Sequence, residues 1–201
     1  MRPGDFFELS HYLAIRLQES IQGGAAEPVI PVLLAHPADI PRSGSGESSR
    51  AALYLHRIIP SSIYRDAGIR VQPTADPALP GKLCRGDLWL ELHFVFMVIE
   101  ATPRDELGAL AAAIDFLHSN APLSVADMDA CIGKELSIAA GELPLELVDE
   151  PGLWQELGLG RHHRGISFKV TLPVAASRGE EVERVLEREL SLGLVTEEER
   201  E

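Results

Sequence analysis

Apolar residues at Phe6, Leu9, Leu13, Leu17 and Ile21 recur at spacings of three and four, and Gly23-Gly24 follows them. That period predicts an amphipathic helix near the start of the chain. "PVIPVLLAHP" then reads as a strand with a proline inside it, which suits a sheet edge or a bulge. "RSGSGESSR", Arg42 to Arg50, reads as a surface loop. In "AALYLHRIIPSSIYRD" the residues Leu53 to Ile59 form one extended segment stopped by Pro60, with His56 and Arg57 set among apolar neighbours. A polar connection with three prolines, Ala67 to Gly86, comes next. Connections of that length inside a domain are usually functional or partly disordered.

"DLWLELHFVFMVIE" is the clearest strand. Its even positions Leu88, Leu90, Leu92, Phe94, Phe96 and Val98 are all apolar, while the odd set, Trp89, Glu91, His93, Val95, Met97 and Ile99, is half polar and turns apolar toward the end. Period two with a second face that becomes buried describes a central strand. A helix follows, with Thr102 as N-cap, Pro103 at N1 and Asp105 in a capping-box-like position. Leu107, Leu110, Ala111, Ile114 and Leu117 form its expected core stripe. Beyond Pro122 the chain predicts a helical stretch near Val125 to Ile132, a short strand in "LPLELVD" and a helical turn in "PGLWQELG". "GISFKVTLPVA" alternates as a half-exposed antiparallel strand. Glu180 to Leu192 reads as an acidic amphipathic helix with Val182, Val185, Leu186 and Leu190 on one side.

This order lacks regular βαβ spacing. It predicts an α+β fold, a single domain with a mixed, mostly antiparallel sheet flanked by helices over residues 1–176. An acidic C-terminal helical arm is expected over 177–201.

Charge narrows the classes. The formal net charge is −13 over 201 residues, which opposes nucleic-acid binding and attraction to anionic lipid. The longest apolar run, Leu92 to Ile99, is too short to span a bilayer, so no direct membrane insertion is expected. The start, "MRPGDFFELSHYL", has no signal-peptide pattern. Cys84 and Cys131 form no CxxC and read as reduced thiols. Cytoplasmic synthesis is the expectation.

Motifs for chemistry are sparse. There is no Gly-rich phosphate loop, GxSxG elbow or HExxH. "RHHR", Arg161, His162, His163 and Arg164, could offer imidazoles to a metal. No Cys or acidic ligand lies at useful local spacing, and the flanking arginines oppose a cation, so a surface or interface turn is the reading. Glu91 and His93 share a strand face and could form an acid–base pair. A satisfied, partly buried pair with Arg57 or His56 on the neighbouring strand fits better without a nucleophile motif. Trp89 and Trp154 read as core or interface anchors. No catalytic, cofactor-binding or metal-ligating residue is assigned.

The ordered segments "ALYLHRIIPSSIYRD", "LWLELHFVFMVIEA", "FLHSNAPLS", "LPLELVDEPGLWQELG" and "RGISFKVTLPV" together resemble one family. It is the cap or tail-terminator proteins of phage-tail-like contractile injection systems, of the Photorhabdus virulence cassette type. Leu53, Tyr54, Arg57, Ile58, Pro60 and Arg65 match its first block, and Leu90, Leu92 and His93 its second. Leu117-His118, Leu153-Trp154 and Ile166 to Val174 match the later ones. The likeness runs from Leu9 to Ala175. Phe94, Asp66 and Phe168 stand where Tyr, Asn and Tyr are common, swaps that keep size and shape.

The resemblance implies a structural subunit without enzymatic activity. Its fold would be like that of phage tail-completion proteins, and its copies would form a homohexameric ring on the last layer of inner tube and sheath. Inner-tube and sheath proteins are the implied partners, with no nucleic acid. Such a ring needs a heterologous contact whose rotation closes. The candidates for subunit contacts are His56, Arg57, Arg65, Glu91, His93, Arg161, His162, His163, Arg164, Val182, Val185, Leu186 and Leu190. Two other classes remain open: an oligomeric adaptor or assembly chaperone, and a small metal-dependent hydrolase using His162 and His163.

Overall fold

In a computed structural model of the chain, the described residues are 3–23, 30–39, 49–63, 69–72, 81–85, 88–99, 101–136, 138, 140–150, 152–157, 164–174 and 180–182. They fall into two compact units, Met1–Ala67 with Asp87–Ala175, and Gly68–Gly86 with Ala176–Glu201.

The larger unit is built on a five-stranded sheet. Its strands are β1 (Val32–Leu34), β2 (Arg50–Pro60), β5 (Leu88–Ile99), β8 (Leu145–Val148) and β9 (Gly165–Val174), in the order β1-β2-β5-β9-β8. Only β1 runs parallel to its neighbour; the other pairings are antiparallel. The expected mixed, mostly antiparallel α+β architecture is therefore present. β1 lies at the sheet edge directly after Pro31, as its internal proline required. β5 occupies the centre, as its two-faced pattern required.

Helices α1 (Pro3–Gln22), α2 (Pro103–Ser119) and α3 (Val125–Ile132) supply the main core. Leu9, Leu13 and Leu17 of α1 are fully buried with Leu92, Phe94 and Phe96 of β5 and Phe168 of β9. Phe94 and Phe168 are register partners and stack with ring centroids 5.4 Å apart. Ser20 of α1 donates through Oγ to the Ala112 carbonyl of α2 at 3.0 Å, which marks a close helix–helix approach.

The start of α2 follows its sequence. Thr102 caps it by accepting from the Asp105 N–H, and proline opens the helix. Its buried face is not the expected stripe. Ala109, Leu110, Ala113, Phe116 and Leu117 point inward, while Leu107, Ala111 and Ile114 face out. Ala109 and Ala113 allow the backbone to come close, so the small-residue side is turned to the core. α3 spans the predicted residues and ends at Gly133, whose φ of 71° is the left-handed C-cap conformation.

Other expectations are corrected by packing. "LPLELVD" is divided at Pro144 into β7 (Glu142–Leu143), which pairs with β6 (Leu123–Ser124), and β8. β9 is not half-exposed: it lies between β5 and β8, and Thr171 on its polar side is buried. In the smaller unit the Pro-rich connection contains β3 (Ile69–Gln72) and β4 (Gly81–Arg85), an antiparallel pair. Glu180–Val182, read as the first residues of a helix, form β10 and pair antiparallel with β4. The rest of that expected helix, from 183 onward, lies outside the described residues.

Gly165 opens β9 because nothing larger fits there. A Cβ at this position would meet the Trp154 ring at 2.3 Å and the Phe96 carbonyl oxygen at 2.8 Å. We predict that Gly165→Ala displaces Trp154 and lowers stability by about 1–3 kcal/mol. Urea unfolding should show this loss, and Trp154→Leu in the same chain should return part of it. Unchanged stability in the single variant would contradict the packing.

Candidate functional site

The second face of β5 changes character along its length. At Val95, Met97 and Ile99 it is apolar and packs with Ala52 of β2 and with Leu153 and Leu157 in and beside α4 (Leu153–Glu156). Tyr54 and Trp154 close around that cluster. Toward its start the same face carries Glu91 and His93, both buried. A carboxylate and an imidazole inside a sheet need partners, because an unpaired buried charge costs several kcal/mol.

A bulge in β2 supplies one of them. Leu55 pairs with Phe94 and Arg57 with His93, which leaves His56 as an extra residue between them. Two consecutive residues of β2 therefore oppose His93. His56 turns in, with its side chain 7% exposed, and its ring meets that of His93 edge to face with centroids 6.0 Å apart. Arg57 stays exposed.

Glu150, on the connection between β8 and α4, joins the two imidazoles. Its Oε1 lies 2.5 Å from His93 Nδ1, and its Oε2 lies 3.2 Å from His56 Nε2. The second approach has the distance of a hydrogen bond without its alignment, so His56 Nε2 is buried with no hydrogen-bond partner. His93 Nε2 lies 3.6 Å from Glu91 Oε2, also outside hydrogen-bond reach.

Glu91 is anchored from the other side. The Ser61 hydroxyl donates to its Oε1 at 2.7 Å. Ser61 is itself fixed just past β2 by donating its N–H to the Trp89 carbonyl at 2.8 Å. Lys169 Nζ lies 3.5 Å from Glu91 Oε2 and 3.2 Å from Glu146 Oε2. Burial pushes the Glu91 carboxyl up, but the Ser61 hydrogen bond and the Lys169 ammonium outweigh it and hold it below the ordinary value. Burial pulls Lys169 down, and its carboxylate partners reverse that and raise it. For His56 burial wins over the nearby Glu150 charge, so its imidazole is held below the ordinary histidine value.

The result is a polar seam linking β2, β5, β9 and the β8–α4 connection. It brings together His56, Glu91 and His93 from the sequence-derived candidates. It adds Ser61, Glu146, Glu150 and Lys169, which the sequence reading missed. Lys169 had a detectable signal: it lies on the polar side of an alternating strand and pairs in register with His93. Arg164 is exposed immediately before β9, and Val182 belongs to β10. Arg65, Arg161, His162, His163, Val185, Leu186 and Leu190 lie outside the described residues.

Removing one side of the Lys169–Glu91 pair leaves a carboxylate buried with a single hydrogen bond. We predict that Lys169→Met lowers stability at neutral pH by about 3 kcal/mol, the scale for breaking a buried pair. Lys169→Met with Glu91→Leu should recover more than half of the loss, since an apolar pair needs no counter-charge. Additive losses in the double variant, measured by urea unfolding, would contradict the coupling.

The wider likenesses agree with this architecture. The Pvc16 N-terminal domain family matches residues 8–188. No curated protein matches the chain. The chain is similar in fold to the sheath/tube terminator of an extracellular contractile injection system, PVC, in its extended state. That match has a TM-score of 0.52 at 17% identity, covering 90% of this chain and 64% of the terminator. It is also similar to the tube-terminating cap of the anti-feeding prophage, with a TM-score of 0.54 at 16% identity, covering 90% of this chain and 58% of the cap. This chain thus spans about three fifths of the length of each. Since the family match spans most of its length, from residue 8 to 188, the chain belongs to the Pvc16 N-terminal domain family.

Proposed function

We propose that the protein is the tail terminator, or cap, of a contractile injection system. In this reading it is a structural subunit that ends polymerisation of inner tube and sheath and holds the distal end of the sheath. The observation that carries the reading is the family match together with a fold shared with two terminators, PVC and anti-feeding prophage. We assign it no catalytic residue. Its partners are copies of itself in a homohexameric ring and the tube and sheath proteins of the same particle. It is made in the cytoplasm and built into the particle. Among the described residues no helix is long and apolar enough to cross a membrane.

The surface supports an assembly role. Leu33 and Leu34 on β1 and Leu147 on β8 are exposed at the two ends of the sheet order. Leu107 and Ile114 stand out from α2. Edge strands with apolar side chains suit strand addition, the device by which sheath subunits of such machines are linked. An apolar helix side suits a contact between subunits. The acidic C-terminal segment after Ser177 would meet basic residues on a neighbour, where charge sets register and encounter.

Deleting the gene tests the reading. Particles without a terminator should have overlong, unsheathed or prematurely contracted tails in electron micrographs. Normal tail lengths with intact extended sheaths would contradict it.

A further inference from the structure

The seam contains a set of ligands that the capping role does not use. His56, His93 and Glu150 each offer one ligand atom, and these atoms lie within 4.8 Å of one another. Both histidine side chains are at least nine-tenths buried, and Glu150 is 19% exposed. His56 Nε2 has no hydrogen-bond partner although it lies 3.2 Å from the Glu150 carboxylate. Buried polar atoms in folded proteins are nearly always satisfied, so an orphan beside a second imidazole and a carboxylate asks for a further occupant.

We infer that His56, His93 and Glu150 form a binding site for a divalent transition-metal ion of the zinc type, which clips the β8–α4 connection onto the sheet. His56 would ligate through Nε2 and His93 through Nδ1, with one oxygen of Glu150 as the third ligand. Two imidazoles and a carboxylate select zinc-like ions over magnesium or calcium, which prefer all-oxygen sites. Zinc bonds of about 2.0–2.2 Å in tetrahedral geometry place ligand atoms about 3.3 Å apart. The His56–Glu150 separation of 3.2 Å already has that value. That distance is to Oε2, whereas His93 Nδ1 lies 2.5 Å from the other oxygen, Oε1, so the carboxylate must turn and draw back to present one oxygen to an ion held by both imidazoles. Glu150 sits on a connection and not in a strand, so the carboxylate is the ligand free to move.

The surroundings have the arrangement of an outer shell. With Nδ1 on the metal, the His93 Nε2–H faces Glu91 at 3.6 Å and donates to it after a small tightening. Carboxylates in this position fix the ring and raise its basicity as a ligand. Glu91 is in turn held by Ser61 and Lys169. The ion takes the place of the proton between His93 and Glu150 and satisfies His56 at the same time. A proton alone joins only one of these pairs.

The test uses the full chain, stripped with a chelator and titrated with Zn²⁺ alone by calorimetry and elemental analysis. One equivalent should bind and raise the melting temperature, and a chelator should reverse the rise. His162→Ala with His163→Ala should leave the stoichiometry unchanged. Glu150→Gln, nearly isosteric and on a connection, should abolish binding, and Glu91→Gln should weaken it about 10- to 100-fold. Co²⁺ on the unaltered chain should give visible d–d bands of a nitrogen–oxygen site, a readout that does not depend on any variant folding. The proposal is overturned by the absence of Zn²⁺ binding to the folded chain, by binding that survives Glu150→Gln, or by thiolate charge-transfer bands that place the ion on cysteine.

Discussion

Burying both faces of β5 sets the architecture of the larger unit. Ten of its twelve residues pair with β9 and ten with β2, so the strand has no free edge. One face is wholly apolar and takes α1 and α2 as cover. The other is apolar only from Val95 onward, where α4 covers it. The remaining end, at Glu91 and His93, is closed by polar partners drawn from four separate segments. The bulge at His56, the turn at Ser61, the position of Lys169 and the reach of Glu150 all follow from that closure.

Much of this is written locally and some of it is not. The alternation of Leu88 to Ile99 gives a two-faced central strand, and Thr102-Pro103 gives the start of α2, because both signals act over a few residues. The phase of α2 is not local. Leu107 and Ile114 are more hydrophobic than Ala109 and Ala113, yet close approach to α1 selects the alanines for the inside. The β3–β4 pair is hidden by short strands and prolines that resemble a loop. Glu150 is the hardest to foresee: it lies 57 residues from His93, on a connection with no periodicity, and only the fold brings them together. The resemblance drawn from the order of segments agrees with the family that matches residues 8–188.

The seam and the proposed terminator role occupy different parts of the molecule. The seam is internal, while Leu33, Leu34 and Leu147 are exposed on the edge strands and Leu107 and Ile114 on the outer side of α2. A terminator must accept the load of a contracting sheath without opening its own sheet. Cross-linking four segments by buried ionic contacts would supply resistance of that kind on a face that, among the described residues, is covered by a short helix.

The capping role is open to direct observation by locating the gold-labelled protein on purified particles by electron microscopy. Label should be confined to one end of each particle, at the distal limit of tube and sheath. Label distributed along the sheath, or its absence from intact particles, would contradict it.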